Sequence, residues 1–209
     1  MNISLLKRVV LSILGNVLIA IGIAIVNASN TGVDPYTSFM FGLTDFLNVP
    51  LGIFQISMNG FLILICYKVC RSKIGFGTFV NMSIIGFLIQ YFSPIASSIC
   101  MNFNIHYIIV MIVGILIIGL GVAFMFTTDL GIGGYDCVAY MLSNSIKKSY
   151  TVCRIFTDIL CLTIAYILGA TIGIGTVITG FLLGPLISFY SKFVIIPIFY
   201  REKLKDNIA

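Results

Sequence analysis

Six runs of apolar residues, each near twenty residues long, constrain this chain more than any other feature of its sequence. They lie at about 9–28, 51–68, 74–92, 105–127, 150–169 and 173–191. A helix rises about 1.5 Å per residue, so about twenty residues cross a hydrocarbon core of about 30 Å. Only 9% of the residues are charged, against about 25% in soluble proteins. The sequence therefore predicts an all-α membrane protein with six transmembrane helices.

The first apolar run follows Lys7 and Arg8, as the apolar region of a secretory signal sequence does. Two features favour a retained span instead. The run is longer than the roughly 7–15 apolar residues of a signal, and its Gly-Ile-Ala at 22–24 recurs as Gly-Val-Ala at 121–123. We therefore expect the first run to remain in the protein as a transmembrane helix.

Basic residues lie at alternate ends of the apolar runs. Apart from Arg154, they are Lys7, Arg8, Lys68, Arg71, Lys73, Lys147, Lys148, Lys192, Arg201, Lys203 and Lys205. The connections at 29–50, 93–104 and 170–172 contain no Lys or Arg. Because cytoplasmic loops are rich in these residues, both termini are expected in the cytoplasm. The net charge of +5 is thus distributed among the ends of the spans and does not form the single basic surface that a nucleic-acid partner would need.

The chain also repeats itself, since residues 15–86 match residues 114–184 at an offset of 99 that slips to 98. The matches include Gly15, Gly22, Ala24, Gly32 and Tyr36, which recur as Gly114, Gly121, Ala123, Gly131 and Tyr135. We divide the chain into a repeat at 1–98 and a second at 99–209 that ends in a basic cytoplasmic tail. Three spans are an odd number, so the second repeat is predicted to be inverted, as in many secondary transporters.

Each repeat carries a segment after its first span that is too short to cross the membrane. The two segments run to Leu47 and to Ile146, and about thirteen helical residues reach about 20 Å. Asp34 before Pro35 suits an N-cap followed by the first helical residue. Two interpretations stay open: re-entrant half-helices whose N-termini face a buried cavity, or interfacial helices on the membrane surface.

The second span of each repeat carries two polar residues four positions apart, at aligned positions. Gln55 and Asn59 form the first pair, and Arg154 and Asp158 form the second. Charges within a bilayer usually face a bundle interior or a cavity. The alternative is a self-neutralising ion pair with Arg154 extended toward the cytoplasmic interface. Our candidate substrate-binding residues are Asp34, Tyr36, Gln55, Asn59, Tyr135, Asp136, Arg154 and Asp158.

Other patterns favour packing over chemistry. The spans lack a Ser, His and Asp arrangement and an HExxH motif, and the six cysteines lack CxxC spacing beside the single His106, so we expect no enzyme, cofactor or metal site. The GxGT pieces at 75–78 and 173–176 are interpreted as close helix contacts. Ala20 and Ala24 on the first span mark either an internal helix contact or a docking surface for a partner.

Several of these motifs resemble those of the YczE/YyaS/YitT group of bacterial membrane proteins. The resemblance rests on residues 131–136, 173–176 and 184–187 and covers nearly the whole chain. The group's later motif reads GIGTxxNxxxIGPxID, where this chain has Thr179 in place of Asn and Ser188 in place of Asp. The resemblance implies a six-helix protein of the bacterial cytoplasmic membrane and names no substrate.

The repeats and the buried charges favour a small-molecule transporter or a substrate-binding membrane subunit. The alternative is a non-transporting scaffold or regulator that supports another enzyme or an export system through its helix surfaces. A third hypothesis, a substrate-capture subunit with an ATPase partner, combines the two. The expected partners are the lipid bilayer, an unidentified small molecule, and a membrane protein or further copies of the chain.

Overall fold

The computed structural model describes residues 5–71, 74–103, 105–195 and 197. The regular elements within these ranges are helical, which confirms the all-α prediction. In chain order they are α1 Leu5–Ala28, α2 Pro35–Leu47, α3 Leu51–Cys70, α4 Phe76–Asn102, α5 Tyr107–Thr128, α6 Gly134–Ile146, α7 Tyr150–Ile167 and α8 Ile174–Tyr190, and a π-helical turn, Ser191–Ile195, continues α8.

Six of these helices are long and apolar enough to cross a membrane, as the sequence predicts. They are α1, α3, α4, α5, α7 and α8 with its π-helical turn. The prediction was wrong about α4, which continues through Pro94 to Asn102 instead of ending near residue 92. Apolar residues such as Ile95 and Ile99 extend the helix, and membrane helices tolerate proline. The expected division after residue 98 falls inside α4.

The contact between α1 and α5 is built on glycines that bring the two backbones together. A Cβ on Gly15 would lie 2.7 Å from the Gly121 carbonyl oxygen, and one on Gly22 would lie 2.8 Å from that of Gly114. Because the earlier glycine of α1 meets the later glycine of α5, the two helices run antiparallel.

The alanines of α1 belong to the same interior. Ala20 and Ala24 are both 0% exposed within the described structure. The small residues of α1 therefore form an internal helix contact, and the interpretation of this face as a docking surface for a partner is wrong.

Gly22→Ala is expected to destabilise the protein relative to Gly60→Ala by about 1–3 kcal/mol, the usual cost of overpacking. The new Cβ would lie 2.8 Å from the Ile118 backbone nitrogen of α5, whereas a Cβ on Gly60 meets nothing within 4 Å. Both changes gain about 1 kcal/mol of helix propensity. The difference between their free energies of unfolding therefore reports the overlap of the new Cβ of residue 22 with α5. Denaturant titration in mixed micelles measures both, and equal stabilities would contradict the close contact.

The GxGT pieces pack on the turns that precede the two short helices. The Gly77 amide donates to the Leu130 carbonyl oxygen at 2.9 Å, and the Gly175 amide donates to the Thr31 carbonyl oxygen at 2.9 Å. A Cβ on Gly175 would overlap the Gly32 carbonyl oxygen, and one on Gly77 would lie 3.1 Å from the Leu130 Cβ, so both pieces lie close to the facing turn. The close packing predicted for these pieces is confirmed, but the neighbours are turns and not helices.

The short helices α2 and α6 each contain 13 residues, as predicted. Asp34 is the N-cap of α2 and accepts a hydrogen bond from the Thr37 amide at 3.1 Å, with Pro35 as the first helical residue. Helix α2 packs on α7, and α6 packs on α3. This crossed packing places the N-terminal ends of α2 and α6 beside the polar residues of α7 and α3.

The start of α1 is attached to the end of α5. Arg8 donates from Nε to the Thr128 carbonyl oxygen at 2.7 Å and from a terminal nitrogen to that of Asp129 at 2.9 Å. A guanidinium at this position satisfies carbonyl groups that have no partner inside their own helix. Asp129 thus takes part in this contact through its backbone carbonyl.

Candidate functional site

A cavity of about 370 Å³ lies between the N-terminal ends of α2 and α6 and the middle of α3 and α7. All eight candidate residues line it: Asp34, Tyr36, Gln55, Asn59, Tyr135, Asp136, Arg154 and Asp158. Its volume falls within the range of about 300–1,000 Å³ that is usual for small-molecule sites. Residues from four different helices are thus brought to one place, as a ligand site requires.

Two stacked tyrosines lie where α2 and α6 begin. The rings of Tyr36 and Tyr135 are 4.4 Å apart between centroids and inclined by 11°. The Tyr36 hydroxyl donates to Asn59 Oδ1 at 2.9 Å, and the Tyr135 hydroxyl donates to Asp158 Oδ1 at 2.7 Å. The aligned tyrosines therefore donate hydrogen bonds to the aligned residues Asn59 and Asp158.

Arg154 is the centre of a network of charged and aromatic groups. Its Nε lies 3.3 Å from Asp158 Oδ1, and its terminal nitrogen pairs with the carboxylate of Asp136. Its guanidinium also lies 4.3 Å from the centroid of the Tyr135 ring. The predicted pair of Arg154 and Asp158 is present, and Asp136 of α6 joins it.

Tyr150 is a member of this network that the sequence analysis missed. Its hydroxyl donates to Asp136 Oδ1 at 3.0 Å. A signal for it exists, because Tyr150, Arg154 and Asp158 follow one another at intervals of four and therefore share one face of α7. The three side chains and Asp136 form the charged wall of the cavity.

The first repeat contributes a neutral wall. Gln55 is 7% exposed and Asn59 is 3% exposed. Asn59 accepts the Tyr36 hydrogen bond, whereas Gln55 Oε1 has no hydrogen-bond partner within the described part of the chain. The aligned pairs thus occupy equivalent places but carry different charges.

The remaining lining is mostly apolar. It comes from α1, α4, α5 and α8 and includes Ile19, Ile23, Ile85, Ile118, Val122 and Leu183. Asn81 of α4 also reaches the cavity and donates to Asn16 Oδ1 at 2.6 Å. Isoleucine and valine are so frequent in these helices that the sequence gives no signal for the ones at this surface. The cavity therefore has a charged side and an apolar side.

The donor set of the cavity does not favour a metal ion. Across residues 5–71, 74–103 and 105–195, no three His, Cys, Asp or Glu side chains are close enough to hold one. The carboxylates of Asp136 and Asp158 are instead directed at Arg154. The arrangement suits the binding of a small molecule through hydrogen bonds and charge.

Comparison with known proteins gives uncharacterized bacterial proteins, of which one is named as a membrane protein. An uncharacterized protein of Haemophilus influenzae is 27% identical over 188 residues, which cover 88% of this chain and 81% of the relative. The uncharacterized membrane protein YczE of Bacillus subtilis is 24% identical over 84% of this chain and 81% of its own. The uncharacterized protein YyaS of the same organism is 24% identical over 93% and 94%. No solved structure matches the chain.

A family model described as a family of unknown function, DUF6198, matches residues 6–192. The match includes nearly all of the six candidate spans and both short helices, and the relatives YczE and YyaS bear out the resemblance drawn from the glycine motifs. The chain therefore belongs to the DUF6198 family and is a membrane protein like its relative YczE.

Proposed function

We propose that this protein is a small-molecule transporter or substrate-binding subunit of the bacterial cytoplasmic membrane, with both termini in the cytoplasm, and that it is not an enzyme. The observation that carries the proposal is the meeting of aligned polar residues from both repeats at one cavity. Intramembrane charges are costly, so a cluster of them around a cavity is a functional site by default.

The proposal includes an inverted repeat, which paired contacts support. The Tyr36 to Asn59 hydrogen bond of the first half has its aligned counterpart in that of Tyr135 to Asp158. The glycine contacts of α1 and α5 are likewise exchanged by the alignment. Paired contacts of this kind are what an approximate twofold axis generates, and in inverted-repeat transporters the substrate site lies at the repeat interface.

In this arrangement α2 and α6 are re-entrant half-helices. Their N-termini meet at the stack of Tyr36 and Tyr135, and each helix is about 20 Å long, enough to reach one membrane surface from the midplane. Broken helices with N-terminal ends at the substrate are a recurring feature of transporters. Interfacial helices would instead keep these tyrosines apart on opposite surfaces.

A difference between the two halves supports alternating access. Helix α4 buries Val80, Ile85 and Ile89, whereas the residues of α8 that are buried are Gly175, Thr176 and Thr179. An apolar groove of about 730 Å³ lies between parts of α5 and α8. In a transport cycle, α4 would take up the looser packing that α8 has here, and α8 would take up the closer packing of α4. The cavity would then open alternately to each side of the membrane.

A thermal-shift screen of the purified protein against metabolites, ions and vitamins tests the proposal. A ligand at a hundred times its Kd adds about 2.7 kcal/mol of stability. Gly180 lines the cavity, and a Cβ there meets nothing within 4 Å, so Gly180→Leu is expected to fill the site and remove the shift. Gly60→Leu, which also projects into open space but away from the cavity, is the matched control.

Exchange of the labelled ligand in proteoliposomes then separates transport from binding. Exchange that is lost in Gly180→Leu supports a transporter, and binding without exchange supports a substrate-capture subunit. A ligand that still binds Gly180→Leu contradicts the proposed site. No shift with any compound, together with a stably copurifying membrane protein, would replace the proposal with the scaffold function.

A further inference from the structure

The charges that line the cavity do not balance. Within the described residues the lining contains three carboxylates, those of Asp34, Asp136 and Asp158, and one guanidinium, that of Arg154. Side chains alone therefore leave two negative charges in excess. The N-termini of α2 and α6 contribute about half a positive charge each, which offsets about one of the two. About one negative charge is left without a partner in the cavity.

Gln55 supplies a second and independent observation. Its side chain is 93% buried, it lines the cavity, and its Oε1 accepts no hydrogen bond from the described residues. A buried acceptor without a donor costs about 1–3 kcal/mol. This Oε1 lies against Gly86 of α4, so an N–H group of a bound molecule would remove that cost once the amide turns its oxygen toward the cavity.

The alignment of the two halves indicates where such a group would lie. In the second half the guanidinium of Arg154 contacts the Tyr135 ring and the carboxylate of Asp158. In the first half the aligned residues are the neutral Gln55, Tyr36 and Asn59, and the nearby carboxylate belongs to Asp34. The first half thus has the aromatic ring and the acceptors but lacks the cation.

We propose that the cavity binds a small organic cation, whose ammonium group takes in the first half the place that the Arg154 guanidinium takes in the second. The ammonium group would lie near Tyr36, donate to Gln55 Oε1 and offset the charge of Asp34. Its apolar body would rest on the Ile19 and Ile118 side of the cavity. Aromatic rings attract ammonium groups by about 0.5–2 kcal/mol, which adds to the charge interaction.

This inference rests on the proposed function, and a matched set of probes separates the two. The probes are 2-phenylethylamine, 2-phenylethanol and phenylacetate, which share an aromatic body and differ in charge. Binding is measured by thermal shift and by calorimetry with the full chain in detergent. The amine is expected to bind, and the alcohol and the carboxylate are expected to bind at least about tenfold more weakly.

Two variants locate the ammonium group. Asp34→Asn keeps the helix cap, because Asn caps as well as Asp, and is expected to weaken amine binding by about tenfold to a hundredfold. Gln55→Arg supplies a guanidinium of its own and is expected to abolish amine binding. Retained amine affinity in both variants would overturn the inference.

Preference for phenylacetate, with binding lost in Gly180→Leu, would overturn the cation inference and leave the binding cavity in place. Binding of the amine that persists in Gly180→Leu would overturn it as well, because the amine would then occupy another site. Absence of binding by these probes and by every compound of the wider screen would overturn the proposed function itself.

Discussion

Arg154→Met is expected to lower the free energy of unfolding by about 3–5 kcal/mol, because it leaves two half-buried carboxylates without their cation. Arg154 pairs with both Asp136 and Asp158, and its guanidinium also covers the Tyr135 ring. Methionine fills a similar volume, so the loss reports charge more than packing. Denaturant titration of the purified protein in mixed micelles measures it.

The aligned substitution in the first half is the control for this change. Gln55→Met removes a side chain that holds no charge and whose Oε1 is already without a partner, so we expect a change below about 1.5 kcal/mol. Adding Asp136→Asn and Asp158→Asn to Arg154→Met should recover most of the lost stability, because the unpaired charges are gone. Unchanged stability of Arg154→Met would mean that water screens the network.

Gly131→Ala is the second change with a large expected effect, a loss of about 2–5 kcal/mol. Gly131 has a φ of +126°, which a side chain strains by about 1–2 kcal/mol. A Cβ there would also overlap Thr78 Oγ1 and lie 2.8 Å from the Gly75 amide nitrogen, which adds an overpacking cost of about 1–3 kcal/mol. The turn before α6 would then shift and carry Tyr135 away from its stack.

Gly169→Ala separates the two costs. Gly169 has a φ of +76°, but a Cβ there meets nothing within 4 Å, so only the backbone strain applies. The same titration is expected to show a larger loss for Gly131→Ala, by about 1–3 kcal/mol. Equal losses would show that the turn before α6 can move away from Thr78 without cost. They would argue against tight packing of this turn on residues 75–78.

Local signals in the sequence were sufficient for much of the fold. The length of the apolar runs gave the six candidate spans, and Asp34 before Pro35 gave the start of α2, because a cap and a fixed φ act within a few residues. The predicted end of α4 was wrong because it depends on the surroundings of the helix and not on a local signal. Proline usually ends a helix in a soluble protein, whereas membrane helices tolerate it. The sequence alone does not show that α4 continues past Pro94.

For the cavity, the spacing of polar residues along the sequence predicted the pairs on α3 and α7 but not the residues of other helices that contact them. An interval of four placed Arg154 and Asp158 on one face of α7, and the structure brings all the candidate residues to one cavity. The contact of Arg154 with Asp136 joins two helices, so no local period reveals it. The missing partner of Gln55 Oε1 is likewise a property of packing, which only coordinates show.

The hydrogen bonds of the two stacked tyrosines bear on how such a cavity can evolve. Tyr36 donates to an amide oxygen and Tyr135 to a carboxylate oxygen at nearly the same distance, so Asn59 and Asp158 are interchangeable in shape. The codons for Asn and Asp differ by one base. A single-base change at either position therefore alters the charge of the cavity while both tyrosine hydrogen bonds and the backbone around them are preserved. Under the proposed function, a change of this kind would alter the charge of the preferred ligand without rebuilding the helices.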